Sequence, residues 1–145
     1  MKKKKIRNIA LIIVAIGVIG SGGVGYYLYQ KPVKDVAGIA PEYNLSAGAL
    51  AKAFDSDENE ATRKYGGEVI EVSGKISEIT DNDSTLTFIL SSGKDQPSGV
   101  RCTFSSAQDL DQLRKYRVGE QVNLKGKCTG KLFDVVLINC YLTND

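Results

Sequence analysis

Hydrophobic and polar positions change their spacing three times along this chain. Between residues 8 and 30 no side chain is charged, and 9–16 is an unbroken run of Ile, Ala, Leu and Val. A stretch of this length matches the roughly 20 apolar residues that a bilayer-crossing helix needs, so 1–30 is expected to be a transmembrane anchor. Its later half softens at Gly17, Gly20, Ser21, Gly22, Gly23 and Gly25. Tyr26, Tyr27 and Tyr29 follow, as in an interfacial aromatic belt. Lys2, Lys3, Lys4, Lys5 and Arg7 precede the run, which predicts a cytoplasmic N-terminus with the rest of the chain in the periplasm or outside the cell. The competing expectation is a signal peptide cut near Gly20 to Gly23, releasing a secreted domain. Gly17, Ser21 and Gly25 have the small-xxx-small spacing that packs two such helices weakly together.

Residues 31–44 hold Pro32 and Pro41 among mixed charges without periodicity, and predict a linker. Residues 45–145 are expected to form one domain. Ser46 is placed to cap a helix with Leu50, Ala53 and Phe54 on one stripe. Asp57, with Glu60 three residues on, has the form of a capping box. The helix it opens carries Ala61 and Tyr65 and ends at Gly66 and Gly67.

From residue 68 the period drops to two. Ile70, Val72, Gly74 and Ile76 alternate with Glu71, Ser73, Lys75 and Ser77, and Gly74 predicts a bend or bulge. A turn at Asp81, Asn82 and Asp83 leads to Leu86, Phe88 and Leu90, alternating with Thr85, Thr87 and Ile89. A polar loop over 91–99 precedes Val100, Cys102 and Phe104. Residues 105–116 read as a short helix. Val122, Leu124, Gly126 and Cys128 then alternate with Gln121, Asn123, Lys125 and Lys127. Residues 133–142 are apolar on both faces, which predicts cover on both. Three strands, a helix and two strands are the element order of an OB-fold, a five-stranded Greek-key barrel, so the fold class is mainly β. The early helices are expected against the outer face of the last strand.

Charge changes this picture in one respect. The formal net charge is +2, but five of the 19 Lys and Arg lie at positions 2–7, leaving 14 against 17 Asp and Glu. The domain is therefore mildly acidic and offers no electrostatic footprint for a polyanion. Histidine is absent, which removes the usual general base, zinc ligand and partner of a nucleophilic Ser or Cys. The domain is expected to be no enzyme and to hold no metal or cofactor. The carboxylates Asp55, Asp57, Glu58 and Glu60 read as helix-start residues.

The chain has three cysteines. In an exported domain they invite one disulfide and one leftover thiol. In an OB barrel the third and fifth strands run parallel, and Cys102 and Cys140 lie late in them. A Cys102–Cys140 bridge with Cys128 free is the expectation, closing a loop of about 40 residues and contributing roughly 3–4 kcal/mol. The alternative is three buried thiols acting as small hydrophobes.

Several segments resemble a known family. They are Asn59, Glu60 and Ala61 with Lys64 and Tyr65; Val72 to Ile76; Val100 to Phe104; Val122 to Gly130; and Asp134 to Cys140. Tyr26 and Tyr27 with Lys31 and Pro32 after the apolar run are similar as well. The chain resembles the exported OB-fold proteins grouped as tRNA-anticodon-binding-like, mostly of Bacteroidetes-type bacteria. The resemblance implies the OB-fold and an extracytoplasmic place; it carries no established activity.

OB-folds bind single strands through aromatic platforms on strands two and three. Here Phe88 and Phe104 alternate inward, as core residues. The outward set is Thr85, Thr87, Ile89, Arg101 and Thr103. With Lys75, Lys125, Lys127 and Lys131 these polar residues are the expected ligand surface, bordered by the loops at 81–83, 92–98 and 129–132. The expected function is non-enzymatic binding of an envelope protein, peptide or glycan by a membrane-anchored domain. Single-stranded nucleic-acid binding is the alternative.

Overall fold

The computed structural model describes residues 2–29, 36–104 and 108–143, with several side chains of the first helix left out. The chain divides into two compact units at residue 34.

The first unit is one helix, α1 (Lys2–Tyr29). Ile9, Ile12, Ile13, Val14 and Ile16 are exposed along it. Among the described residues no helix is long and apolar enough to cross a membrane. The expected anchor therefore has its helix but no described apolar span. The side chains of Ala10, Leu11, Val18 and Ile19 lie outside the described residues, and glycines dilute the later half. Linker positions 31–35 lie outside them too.

The second unit is built on a barrel. Its elements are a 3-10 turn (Val36–Gly38), β1 (Tyr43–Ser46), α2 (Ala47–Ser56), α3 (Glu58–Tyr65), β2 (Val69–Asn82), β3 (Thr85–Leu90), β4 (Val100–Phe104), α4 (Leu110–Leu113), β5 (Gln121–Lys131) and β6 (Val135–Leu142). The sheet order is β1-β2-β3-β4-β6-β5, and β5 returns to pair with β2, closing five strands into a barrel. β4 and β6 run parallel and the other barrel pairs antiparallel. This is the OB-fold that the element order predicts. β1, absent from the sequence expectation, adds a short parallel strand to the first half of β2. Four residues between a linker and a helix cap carry no readable period.

β2 serves both sides of the barrel. Residues 69–75 pair with β5 and 76–82 with β3, with a register shift between Ile76 and Glu78. Such a bulge lets one long strand turn the barrel corner. It lies two residues beyond Gly74, where the bend was expected. A Cβ on Gly74 would lie 3.0 Å from the Cβ of Ala47 and 3.2 Å from that of Leu90, so its bare backbone admits α2 instead.

Both predicted caps form. The Ser46 hydroxyl accepts from the Ala49 N–H at 3.1 Å, and the Asp57 carboxylate from that of Glu60 at 3.0 Å. Gly67, at φ +83°, turns the chain out of α3. Leu50, Ala51 and Phe54 of α2 are buried. The helix does not lie over the last strand alone, as expected: it packs mainly on β2 and β1 and also meets β4 and β6, next to Gly74 and with Gly48 against the Ser92 carbonyl. The outer side of β5 and β6 is instead met by residues 36–39. Val36 is buried there, and Lys125 donates to the carbonyls of Ala37 at 2.7 Å and Ile39 at 3.2 Å. The helix expected over 105–116 is confined to α4, with 105–107 outside the described residues.

The core takes the inward alternation of every strand, including Ile70, Val72, Leu86, Phe88, Leu90, Val122 and Leu124. Phe88 and Phe104 are buried edge-to-face with centroids 4.7 Å apart. Neither is a surface platform. The expected disulfide is not formed. Cys102, Cys128 and Cys140 are all free and buried. Burial pushes the Cys140 thiol well up, with the Cys102 thiol beside it adding to the shift. Topology thus brings Cys102 and Cys140 together as neighbouring thiols, packed as small hydrophobes. Cys128 faces Leu137 on β6.

Candidate functional site

The register of β2, β3 and β4 sets out the outer face row by row. Thr80 pairs with Thr87 and Thr87 with Thr103; Glu78 pairs with Ile89 and Ile89 with Arg101. The two hydroxyls of Thr87 and Thr103 are 3.3 Å apart. Opposed residues on adjacent strands sit about 5 Å apart, so Glu78 and Arg101 are separated by roughly twice that across Ile89.

Two loops frame the lower row. The β3–β4 loop, residues 91–99, is tied down at several points. The Ser92 hydroxyl donates to the Ser98 carbonyl, and the Ser98 hydroxyl to both oxygens of Asp55 at 3.1 and 3.0 Å. Lys131 pairs with the same Asp55 carboxylate. The lysine ammonium holds that carboxyl below its usual range, against the opposing effect of desolvation. The β5–β6 turn follows Lys131. Asp134, buried in it, accepts from the Gly99 N–H at 2.8 Å and from Arg101 at 3.4 Å. Leu132 and Phe133 stand out from this turn, 89% and 71% exposed.

Between the loops lies an open cleft of about 330 Å³, lined by Ser77, Glu78, Ile89, Gln96, Arg101, Phe133 and Asp134 among others. The opposite end of β3 is fixed by Arg114. Its guanidinium holds Asp81 through two contacts, at 2.8 and 3.2 Å, and reaches the Asp83 carbonyl and Asp111. This pairing lowers the Asp81 carboxyl.

The structure divides the expected ligand surface. Arg101 and Thr103 meet on the β3–β4 face beside Thr87, which is itself buried rather than open to a ligand, with Thr85 at its far end. Lys75 is exposed on β2, paired with Gln121 rather than with the cleft strands. Lys125 is taken by the carbonyls of residues 37 and 39, Lys131 by Asp55, and Lys127 stands exposed on β5. The lysines thus form no row beside the threonines. The alternation reading missed Glu78, because the bulge reverses which side of β2 faces out. It missed Phe133 by counting it into the last strand, whereas β6 begins at Val135. Its place beside Leu132 and next to an acid in a short turn was the available signal. Among the described residues no group of three or more His, Cys, Asp or Glu side chains is placed to hold a metal.

Several solved structures are similar to the chain. A proposed nucleic acid-binding lipoprotein from Klebsiella pneumoniae is similar over 79% of this chain and 100% of its own, with TM-score 0.58 and 14% identity. The S. pombe Stn1–Ten1 complex is similar over 53% of this chain and 59% of that one, with TM-score 0.41 and 18% identity. An OBody bound to hen egg-white lysozyme covers 57% and 87%, with TM-score 0.42 and 14% identity. Among curated proteins none matches the chain in sequence. The sequence model of the tRNA_anti-like family matches residues 1–142, and the chain belongs to that family.

Proposed function

We propose that this protein is a membrane-tethered, non-catalytic binding module that holds an envelope partner on the outer face of β3 and β4. The exposed Leu132–Phe133 tip beside the 330 Å³ cleft carries this reading. Exposed large apolar side chains next to a formed concavity mark interaction sites, and this face is where OB-folds take ligands.

The N-terminal segment supports the tether. Five cations precede an uncharged stretch rich in Ile, Val and Gly. Such a helix is poor in water, where each glycine costs about 1 kcal/mol relative to alanine. Lipid removes the alternative of a hydrated backbone, so the same sequence is helical there. The cation bias keeps the N-terminus in the cytoplasm and puts the domain outside. Gly17, Ser21 and Gly25 allow weak pairing of two tethers.

Single-stranded nucleic acid is the second reading, favoured by an exposed aromatic and an arginine on one face. The neutralisation of Arg101 by Asp134 and of Lys131 by Asp55 weighs against it. A mobility-shift titration at low salt, where such binding is strongest, separates the two. No shift of labelled single strands is expected, and a shift abolished by Arg101→Ala would favour the second. Robust hydrolytic turnover by the purified protein would defeat both.

A further inference from the structure

We infer that the cleft takes an extended peptide segment carrying a basic side chain two positions from an apolar one. This rests on the binding-module reading and names its ligand class.

Three features of the cleft point there. The first is charge. Arg101 is met by the buried Asp134 at 3.4 Å. Glu78 lies across Ile89 from that pair, and among the described residues its carboxylate accepts a marginal 3.5 Å contact from the Thr80 hydroxyl. The lining charges are thus one cation against two carboxylates, in a domain that is itself net acidic. A phosphate chain laid here would run beside Glu78; a lysine or arginine side chain would find its counter-charge. The second is hydrogen bonding. The Gln96 side-chain oxygen is buried in the cleft wall with no hydrogen-bond partner among the described residues. A buried acceptor left unmade costs free energy, which an incoming N–H recovers once the Gln96 side chain turns into the cleft. An extended peptide brings such donors in every residue. The third is the apolar anchor. Phe133 forms one wall and Ile89 part of the floor, a site for one aliphatic or aromatic side chain two positions from the basic one, as strand alternation sets them.

The test uses the full chain in detergent, panned against a phage-displayed random heptapeptide library. Enriched sequences are expected to place Lys or Arg two residues from a large apolar residue. A fluorescein-labelled copy of the strongest sequence is then titrated by anisotropy. Phe133→Ala, a truncation of an exposed aromatic anchor, is expected to weaken binding about tenfold. Glu78→Gln removes a surface charge contact and is expected to cost about three- to fivefold, an effect that vanishes in high salt. Lys127→Ala, off the cleft, should leave affinity unchanged. All three positions are exposed, and unchanged thermal unfolding confirms intact folding. No enrichment, an acidic consensus, or affinity indifferent to both cleft variants would overturn the inference. So would loss of binding to phosphatidylglycerol vesicles in Phe133→Ala with peptide binding unaltered, which makes the tip a lipid contact. If basic peptides fail while residue 133 still crosslinks to an envelope protein, this inference falls and the binding-module reading stands.

Discussion

At the scale of single residues, the barrel interior is fitted around one thiol. A Cβ on Gly126 would lie 2.5 Å from the Cys140 sulfur and 3.2 Å from the Ile138 carbonyl. Gly126→Ala is therefore expected to destabilise by about 1–3 kcal/mol through overpacking. Thermal unfolding checks this, and Cys140→Ala in the same protein should recover part of the loss, since the two share one space. The buried thiols make a second expectation. Without reductant, a thiol reagent should find almost none in the native domain and all three in denaturant; one alone would mean a bridge. Burial raises the Cys140 thiol, so the unfolded thiol ionises first as pH rises. Stability is then complete below about pH 8.5 and falls above it. Alternation foretold the inward direction of Cys102 and Cys128, and barrel topology the meeting of Cys102 with Cys140; the last strand, apolar on both faces, did not show that Cys140 is buried with Val135 and Leu137 rather than facing out with Val136 and Ile138. Whether two neighbouring thiols are bonded is set by distance and redox surroundings, which a period of two does not encode.

Among the elements, the strands were legible and their junctions were not. The first four barrel strands alternate because one face is buried and the other wet, while the last is apolar on both. The bulge after Ile76 puts two polar residues, Ser77 and Glu78, before the next core-side residue Ile79, and strict period two hid Glu78. The placement of α2 was misread for a similar reason. Its apolar stripe says that it packs, but only the gaps at Gly74 and Gly48 say where. Asp55 near the end of α2 clamps the β3–β4 loop to the β5–β6 turn through Ser98 and Lys131. Asp55→Ala should leave the barrel folded, cost at most about 1 kcal/mol, and speed amide exchange across residues 92–99. Because Lys131 lowers the Asp55 carboxyl, the unfolded carboxyl protonates first as pH falls. The clamp is complete above about pH 4 and is lost as pH drops through the lower folded value. Exchange in this loop that ignores Asp55→Ala would remove the clamp from the account.

For the whole molecule, fold was legible and ligand chemistry only in part. Element order alone reaches the OB topology, because short unknotted connections leave few ways to close five strands. The threonine and arginine face was readable from the same alternation. The lysines were not, since Lys125 and Lys131 are drawn off by partners distant in sequence. The tether makes its own expectation. The full chain should stay with membranes through alkaline carbonate washing, and a chain lacking residues 2–29 should be released. Release of the full chain would dissociate the domain from the bilayer. Docking of a partner at the Leu132–Phe133 cleft is checked by a photo-crosslinking amino acid placed in living cells at Phe133 and, separately, at Lys127. A discrete protein crosslink from position 133, weak or absent from 127, is the expected result. Equal labelling at both positions, or crosslinks at 133 to nucleic acid alone, would contradict it.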